Sequence, residues 1–213
     1  MTIRVLLADD HALVREGLLA LLAANPNISV VAAVGNGRDA VSRTEQFNPD
    51  VVVMDVSMPE LNGIEAARLI RVRCPATRVV MLSMHSTTEH VFRAFEAGAT
   101  GYVLKESAGA EVIAAVQTAY LGRRYLSPAL SEPGHEPGTS VARKSPLESL
   151  SSRERQVLQL VVEGRTSAEI AHLVHLSPNT VETYRSRVMR KVGVADLTAL
   201  VKFAVEHGIT PLA

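Results

Sequence analysis

The chain has 213 residues, of which 47% are hydrophobic and 21% are charged, and its formal net charge is zero. These values favour a globular protein with one large or two small domains. No apolar stretch reaches the roughly 18 residues of a membrane span, and no signal-peptide layout opens the chain, so we expect a cytoplasmic protein with no membrane partner. The single cysteine, Cys74, excludes an intrachain disulfide.

The first part of the chain alternates apolar strand patterns with helical patterns. The predicted strands are 3–8, 28–34, 50–54, 78–83 and 101–104. The predicted helices are 12–24, 37–47, 63–73, 87–97 and 107–121. Val-rich continuous runs are typical of strands that are buried on both faces of a parallel sheet. The pattern therefore predicts a flavodoxin-like α/β fold, with a doubly wound five-stranded parallel sheet in the order 2-1-3-4-5.

Four of the predicted strands end in polar residues whose side chains can bind ligands or take part in a reaction. Asp9 and Asp10 follow the first strand, and Asp55, Ser83 and Lys105 follow three others. The carboxyl ends of parallel strands share one edge, where open α/β sheets bind ligands. We therefore expect these side chains to meet in one crevice.

The chemistry of these side chains suits phosphoryl transfer. Packed carboxylates repel one another and require neutralisation, and Mg²⁺ prefers oxygen ligands and often takes only one or two carboxylates. An aspartate can also act as a nucleophile and form an aspartyl phosphate. Lys105 and Ser83 would then supply a charge and a hydrogen bond to the phosphoryl oxygens.

The same residues resemble the receiver domain of two-component response regulators over residues 1–122. The resemblance is carried by Asp9-Asp10, by Asp55 followed by Met58-Pro59 and Gly63, and by Ser83, Tyr102 and Lys105. It implies that Asp55 accepts the phosphoryl group. It also implies that Asp9, Asp10, Asp55 and the backbone carbonyl of Ser57 hold Mg²⁺. Ser83 and Tyr102 would form a switch pair, with Tyr102 rotating inward on phosphorylation.

The second part of the chain is predicted to be a flexible linker and a small all-α domain. Residues 123–147 are rich in Pro, Gly and Ser and are assigned to the linker. In the domain at 148–213, Thr166-x-x-Glu169 fits a capping box, and Ser177 with Pro178 opens a helix over 178–191. Two helices that are joined by the short turn at 175–177 predict a helix-turn-helix motif.

The segments Leu150–Leu158, Glu169–Ala171 and Ser177–Arg185 resemble the LuxR-type DNA-binding domain, and with the receiver they indicate a response regulator of the NarL/FixJ class. By that resemblance, helix 178–191 reads the major groove. The base-edge candidates are Glu182, Thr183, Ser186 and Arg187, and the phosphate candidates are Arg165, Arg185, Arg190 and Lys191. The dimer contact is expected on the last helix, at Leu197, Leu200, Val201 and Ala204.

The sequence thus predicts a phosphorylation-controlled transcription factor. Its expected partners are a sensor histidine kinase, double-stranded promoter DNA and, when phosphorylated, a second copy of the chain. Beyond accepting a phosphoryl group and losing it by autodephosphorylation, no enzymatic turnover is expected. Two rival hypotheses are a Mg²⁺-dependent phosphatase with an aspartyl intermediate and a DNA-binding protein that ignores phosphorylation. The first would need a general acid and a substrate cap, which residues 56–60 do not offer, and the acidic cluster with Lys105 argues against the second.

Overall fold

The computed structural model describes residues 2–130 and 146–209. They form two compact units. We call residues 2–130, which hold the described strands, the sheet unit, and residues 146–209, which hold the remaining described helices, the helical unit.

The sheet unit is built on a parallel sheet. Its strands are β1 (Ile3–Ala8), β2 (Ile28–Val34), β3 (Val51–Asp55), β4 (Arg78–Ser83), β5 (Gly101–Leu104) and β6 (Tyr125–Leu126). They are ordered β2-β1-β3-β4-β5-β6, and each pair of neighbours is parallel. The predicted order 2-1-3-4-5 is therefore confirmed. Every residue of β3 is buried, which explains the continuous apolar run of the central strand.

Five helices connect the strands. They are α1 (Ala12–Ala23), α2 (Gly37–Phe47), α3 (Gly63–Arg73), α4 (Thr88–Ala97) and α5 (Ala108–Tyr120). Asn36 and Asn62 cap α2 and α3 by accepting from the backbone N–H groups of Asp39 and Glu65, which satisfies one orphan donor of each first turn. The buried faces of α1 and α5 pack on the apolar strands and form one core cluster with them.

The sixth strand corrects the sequence prediction. The composition of residues 123–147 predicts a linker, but Tyr125–Leu126 pair with β5, and Ser127 donates its backbone N–H to the Tyr102 carbonyl at 2.9 Å. The Ser127 hydroxyl also donates to Glu111 of α5 at 2.5 Å. A two-residue strand is too short to show an alternating pattern. The sequence therefore does not distinguish it from the linker-like residues around it. The rest of the predicted linker, 131–145, lies outside the described residues.

The helical unit contains four α-helices: α6 (Ser152–Val162), α7 (Ser167–Val174), α8 (Pro178–Val192) and α9 (Leu197–Glu206). The predicted capping box of Thr166 and Glu169 is confirmed, as is the cap of Ser177 with Pro178 at the start of α8. Apolar residues of all four helices form one buried cluster. This core fixes α7 and α8 against each other as a helix-turn-helix.

Candidate functional site

Acidic side chains and a lysine from three strand ends meet at the carboxyl edge of the sheet. The ammonium group of Lys105 lies 2.6 Å from Asp55 Oδ2 and 2.9 Å from Asp9 Oδ2. Asp9, Asp55 and Ser83 are buried. The side chains that follow β1, β3 and β5 are therefore brought into direct contact, which places two carboxylates and one cation in a single buried site.

A group of possible metal ligands lies at this edge. Ligand atoms of Asp9, Asp10, His11 and Asp55 all lie within 4.8 Å of one another. Carboxylate oxygens are the ligands that a hard divalent cation prefers, so the residues present fit a Mg²⁺ ion. Ser57 donates its backbone N–H to Asp55 Oδ1 at 3.2 Å, and the ligand role of its carbonyl stays a prediction.

Burial changes the acid–base behaviour of the Asp55–Lys105 pair. Burial raises the pKa of the Asp55 carboxyl to about 7, against the opposing effect of the Lys105 ammonium. Burial alone would lower the pKa of Lys105, but the Asp55 and Asp9 carboxylates raise it above its ordinary value. Lys105 therefore stays charged and neutralises an otherwise unfavourable pair of buried carboxylates.

Gly63 allows the loop after β3 to close on the site. A Cβ at this position would stand 2.0 Å from the carbonyl oxygen of Asp55. The backbone N–H of Gly63 donates to the Val56 carbonyl at 2.8 Å. Only a residue without a side chain permits this approach, so Gly63 helps to set the backbone around Asp55.

The two residues of the predicted switch pair are linked through His85. The Tyr102 hydroxyl donates to the His85 carbonyl at 2.8 Å, and the His85 backbone N–H donates to Ser83 Oγ at 2.9 Å. Tyr102 is fully buried, and burial raises the pKa of its hydroxyl to about 12. The Tyr102 side chain is thus already buried and hydrogen-bonded, and its movement on phosphorylation stays a prediction.

Three contributors to this site were missed in the sequence. His11 Nδ1 lies 2.8 Å from Asp10 Oδ1, the Arg15 guanidinium donates to the Asp9 carbonyl at 2.5 Å, and the His85 backbone links the switch pair. The adjacency of His11 to Asp10 was a usable signal. The contacts of Arg15 and His85 depend on loop conformations that no periodicity predicts.

In the helical unit, α8 presents the base-edge candidates on its exposed side. Glu182, Thr183, Ser186 and Arg187 are all exposed. The hydroxyls of Thr183 and Ser186 donate to backbone carbonyls of α8, those of Asn179 and Glu182, at 3.0 and 3.1 Å. The Arg187 guanidinium lies 5.9 Å from the centroid of the Tyr184 ring, within the range of a cation–π interaction.

The phosphate candidates fall into two groups. Arg165 and Arg190 are exposed. Arg185 and Lys191 instead contact neighbours within the helical unit: Arg185 donates to Ser167 and Glu182 at 3.1 and 3.2 Å. Lys191 donates to the Glu154 carboxylate at 2.7 Å. For these two residues, a phosphate contact would have to replace or share an existing interaction.

The predicted dimer residues are divided between surface and core. Leu197 and Val201 of α9 are 48% and 36% exposed, whereas Leu200 and Ala204 are 2% and 0% exposed. Leu200 and Ala204 belong to the core of the helical unit. Their side chains are already covered by their own chain, which leaves Leu197 and Val201 as the exposed candidates, and the dimer contact stays a prediction.

Within residues 2–130 and 146–209, no helix has both the length and the apolar character needed to cross a bilayer.

The fold and the two sites define a class of protein: an α/β domain with a buried acidic and lysine-containing site, combined with a helix-turn-helix domain. The family model of the response regulator receiver domain matches residues 5–117. The family model of bacterial regulatory proteins of the luxR family matches residues 148–204. The chain therefore belongs to the two-component response regulators of the NarL/FixJ type, as the sequence predicted. This is a family of transcriptional regulators and not of turnover enzymes.

Two curated relatives match nearly the whole chain, and one solved structure matches part of it. The transcriptional regulatory protein MctR of Rhizobium johnstonii is 38% identical, over 97% of this chain and 95% of that protein. The response regulator UvrY of Escherichia coli is 36% identical, also over 97% of this chain and 95% of that protein. A LuxR-family two-component response regulator from Aurantimonas, known from a crystal structure, is 40% identical in sequence. The match has a TM-score of 0.59 and covers 62% of this chain and 94% of the Aurantimonas chain.

Proposed function

We propose that Asp55 is the phosphoacceptor of a two-component system and that its phosphorylation controls dimerisation and promoter binding by the helical unit. The observation that carries this proposal is the contact of Lys105 with both Asp55 and Asp9 in a buried site at the sheet edge. The Lys105 ammonium lies beside the Asp55 carboxylate, where it could pair with the oxygens of a phosphoryl group on Asp55. Asp9 and Asp10, with Asp55 and the Ser57 carbonyl, are the proposed ligands of Mg²⁺.

The proposed reaction is an in-line displacement. A carboxylate oxygen of Asp55 attacks phosphorus, the bond from phosphorus to the histidine nitrogen of the kinase breaks, and an acyl phosphate forms. Bound Mg²⁺ would neutralise charge that develops on the phosphoryl oxygens. Lys105 would exchange its contact with Asp55 for a phosphoryl oxygen, and the Ser83 hydroxyl would donate to another. In autodephosphorylation, water attacks the same phosphorus, the bond from phosphorus to the Asp55 oxygen breaks, and inorganic phosphate leaves a free Asp55 carboxylate.

The proposed output begins at the link between Ser83, His85 and Tyr102. A shift of Ser83 toward the phosphoryl group would move the backbone of His85, which both Ser83 and Tyr102 contact. The surface of α4, β5 and α5 would change in consequence. To move the chain from a few per cent in the active conformation to mostly active, phosphorylation must stabilise the active conformation over the inactive one by about 3 to 5 kcal/mol.

On DNA, α8 is the proposed recognition helix. Arg187, Thr183, Ser186 and Glu182 would face base edges, while Arg165, Arg185 and Arg190 would contact phosphates that set the register of the helix. Leu197 and Val201 remain available for a dimer contact. Two copies would meet half-sites about one helical turn apart.

The test compares the full chain before and after treatment with an acyl phosphate and Mg²⁺. We expect intact mass to increase by one phosphoryl group, sedimentation to shift toward a dimer, and affinity for a selected DNA duplex to rise. Unchanged sedimentation together with unchanged DNA affinity at saturating phosphorylation would contradict the proposal and favour a DNA-binding protein that ignores phosphorylation. Turnover of added phosphomonoesters would favour the phosphatase instead.

A further inference from the structure

The first turn of α7 is joined to the recognition helix by three polar side chains. The Ser167 hydroxyl donates to Glu182 Oε1, and the Arg185 guanidinium donates both to that oxygen at 3.2 Å and to Ser167 Oγ at 3.1 Å. A single carboxylate oxygen therefore accepts from two side chains. We call these residues the Ser167–Glu182–Arg185 cluster.

The cluster combines a residue expected to read bases with one expected to bind phosphate. The side chains of Arg185 and Glu182 are 33% and 58% exposed, so DNA could reach both. The nearby acid Glu169 contacts Thr166 in the capping box, and Arg165 is exposed beside it. Glu182 is thus the carboxylate that is paired with Arg185 at the start of the helix-turn-helix.

The pairing has an electrostatic consequence for DNA binding. A cation that is already paired with a carboxylate adds little net positive charge to the surface that meets phosphates. Binding of arbitrary DNA depends mainly on such net charge, through the counterions that it releases. A carboxylate on the recognition helix also repels the phosphate backbone unless it finds a donor of its own.

We propose that Glu182 is a specificity-determining residue because it occupies Arg185 until the DNA offers the carboxylate a new partner. This inference rests on the proposed function of the helical unit. At a matching site, Glu182 leaves Arg185 and accepts from the exocyclic amino group of a cytosine, the base that suits a carboxylate. Arg185 is then released to a phosphate. On non-matching DNA the exchange does not occur, and Arg185 contributes little to affinity.

The test uses the full chain after acyl-phosphate treatment, with two duplexes of equal length. One duplex is recovered by in vitro selection with the wild-type chain, and the other has a random sequence. The variants are Glu182→Gln, Arg185→Ala and the double variant. Gln keeps an oxygen that can accept from Ser167, so the contact between α7 and α8 is retained. Glu206→Gln is the matched control, because it removes one exposed acid from α9.

We expect Glu182→Gln to raise affinity for the random duplex by roughly threefold to tenfold and to steepen its salt dependence by about one unit of slope. Affinity for the selected duplex should stay level or fall, so that the ratio of the two affinities drops. The gain on random DNA should disappear in the Arg185→Ala background, and Glu206→Gln should not reproduce it.

Two results would overturn the inference. One is an unchanged affinity ratio in Glu182→Gln. The other is a gain on random DNA that persists without Arg185, because the effect would then be general charge removal. Failure of the proposed function looks different: the wild-type chain itself would not prefer the selected duplex over the random one.

Discussion

The ammonium group of Lys191 at the end of α8 lies 2.7 Å from the carboxylate of Glu154 in the first turn of α6. The Glu154 side chain is 5% exposed and that of Lys191 is 37% exposed. Lys191 also donates to the Ser149 carbonyl at 3.0 Å. Lys191, a predicted phosphate contact, therefore connects α8 to the start of α6 within its own domain.

Replacing Lys191 by Met should destabilise the helical unit by about 2 kcal/mol, because Glu154 then loses a charged partner while it stays buried. Hydrogen exchange of peptides from α6 and α8 measures this loss locally. Lys202→Met is the control, since Lys202 is 78% exposed and lies 3.9 Å from Glu206. If both variants lost the same protection from hydrogen exchange, the pair of Lys191 with Glu154 would contribute no more to stability than an exposed ion pair.

The same variant has a defined pH dependence. Burial alone would raise the pKa of Glu154, but hydrogen bonds from Lys191 and Ser151 hold it below its ordinary value. A carboxylate with a lowered pKa stabilises the fold above its unfolded pKa of about 4.3, and this contribution is lost as the pH falls through the folded pKa. The difference in stability between wild type and Lys191→Met should therefore be full at neutral pH and shrink below about pH 4.

Gly63→Ala should disrupt the proposed phosphoryl site, because the added Cβ would meet the Asp55 carbonyl oxygen at 2.0 Å. We expect a loss of roughly 3 kcal/mol in stability, which overpacking of this kind can produce, and a marked loss of acyl-phosphate labelling. Gly109→Ala is the matched control: Gly109 lies on an exposed part of α5, and a Cβ added there would meet no atom within 4 Å. That change should stabilise the sheet unit by about 0.5 to 1 kcal/mol. Normal labelling of Gly63→Ala would contradict the role given to this glycine.

Arg187→Ala and Arg190→Ala should weaken DNA binding in different ways. Arg187 lies on the exposed stripe with Thr183, so its loss should relax base preference at one position, at a cost of roughly 1–3 kcal/mol in discrimination. Arg190 is exposed near the end of α8, and its loss should weaken binding to all duplexes alike and reduce the salt slope by about one. Binding-site selection and salt titrations on both variants separate these effects. A changed sequence preference in Arg190→Ala alone would mean that α8 docks in another orientation.

The sequence predicts those parts of the molecule that follow a period or a chain order. The apolar runs that end in Asp55, Ser83 and Lys105 predicted parallel strands, and the geometry of parallel sheets then brought their polar ends to one edge. Capping signals such as Ser177-Pro178 fixed helix starts in the same local way. The contact of Lys191 with Glu154 spans 37 residues, and no local pattern encodes such a pairing.

Other differences between prediction and structure also arise because tertiary packing, and not a local pattern, decides them. Leu200 and Ala204 share an apolar pattern with Leu197 and Val201, but only the packed core decides which of them is covered. Similarly, β6 depends on its pairing with β5 and on the hydrogen bond that the Tyr125 hydroxyl donates to Glu111, not on a sequence period.

Asp55 is proposed to accept the phosphoryl group, and intact-mass measurement of the Asp55→Asn variant tests this role most directly. The full chain is incubated with an acyl phosphate and Mg²⁺ beside wild type and Asp39→Asn, which removes an acid at the start of α2. We predict that wild type and Asp39→Asn gain one phosphoryl group and that Asp55→Asn gains none while its circular dichroism stays native. Labelling of Asp55→Asn at the wild-type level would contradict the account and move the acceptor to Asp9 or Asp10.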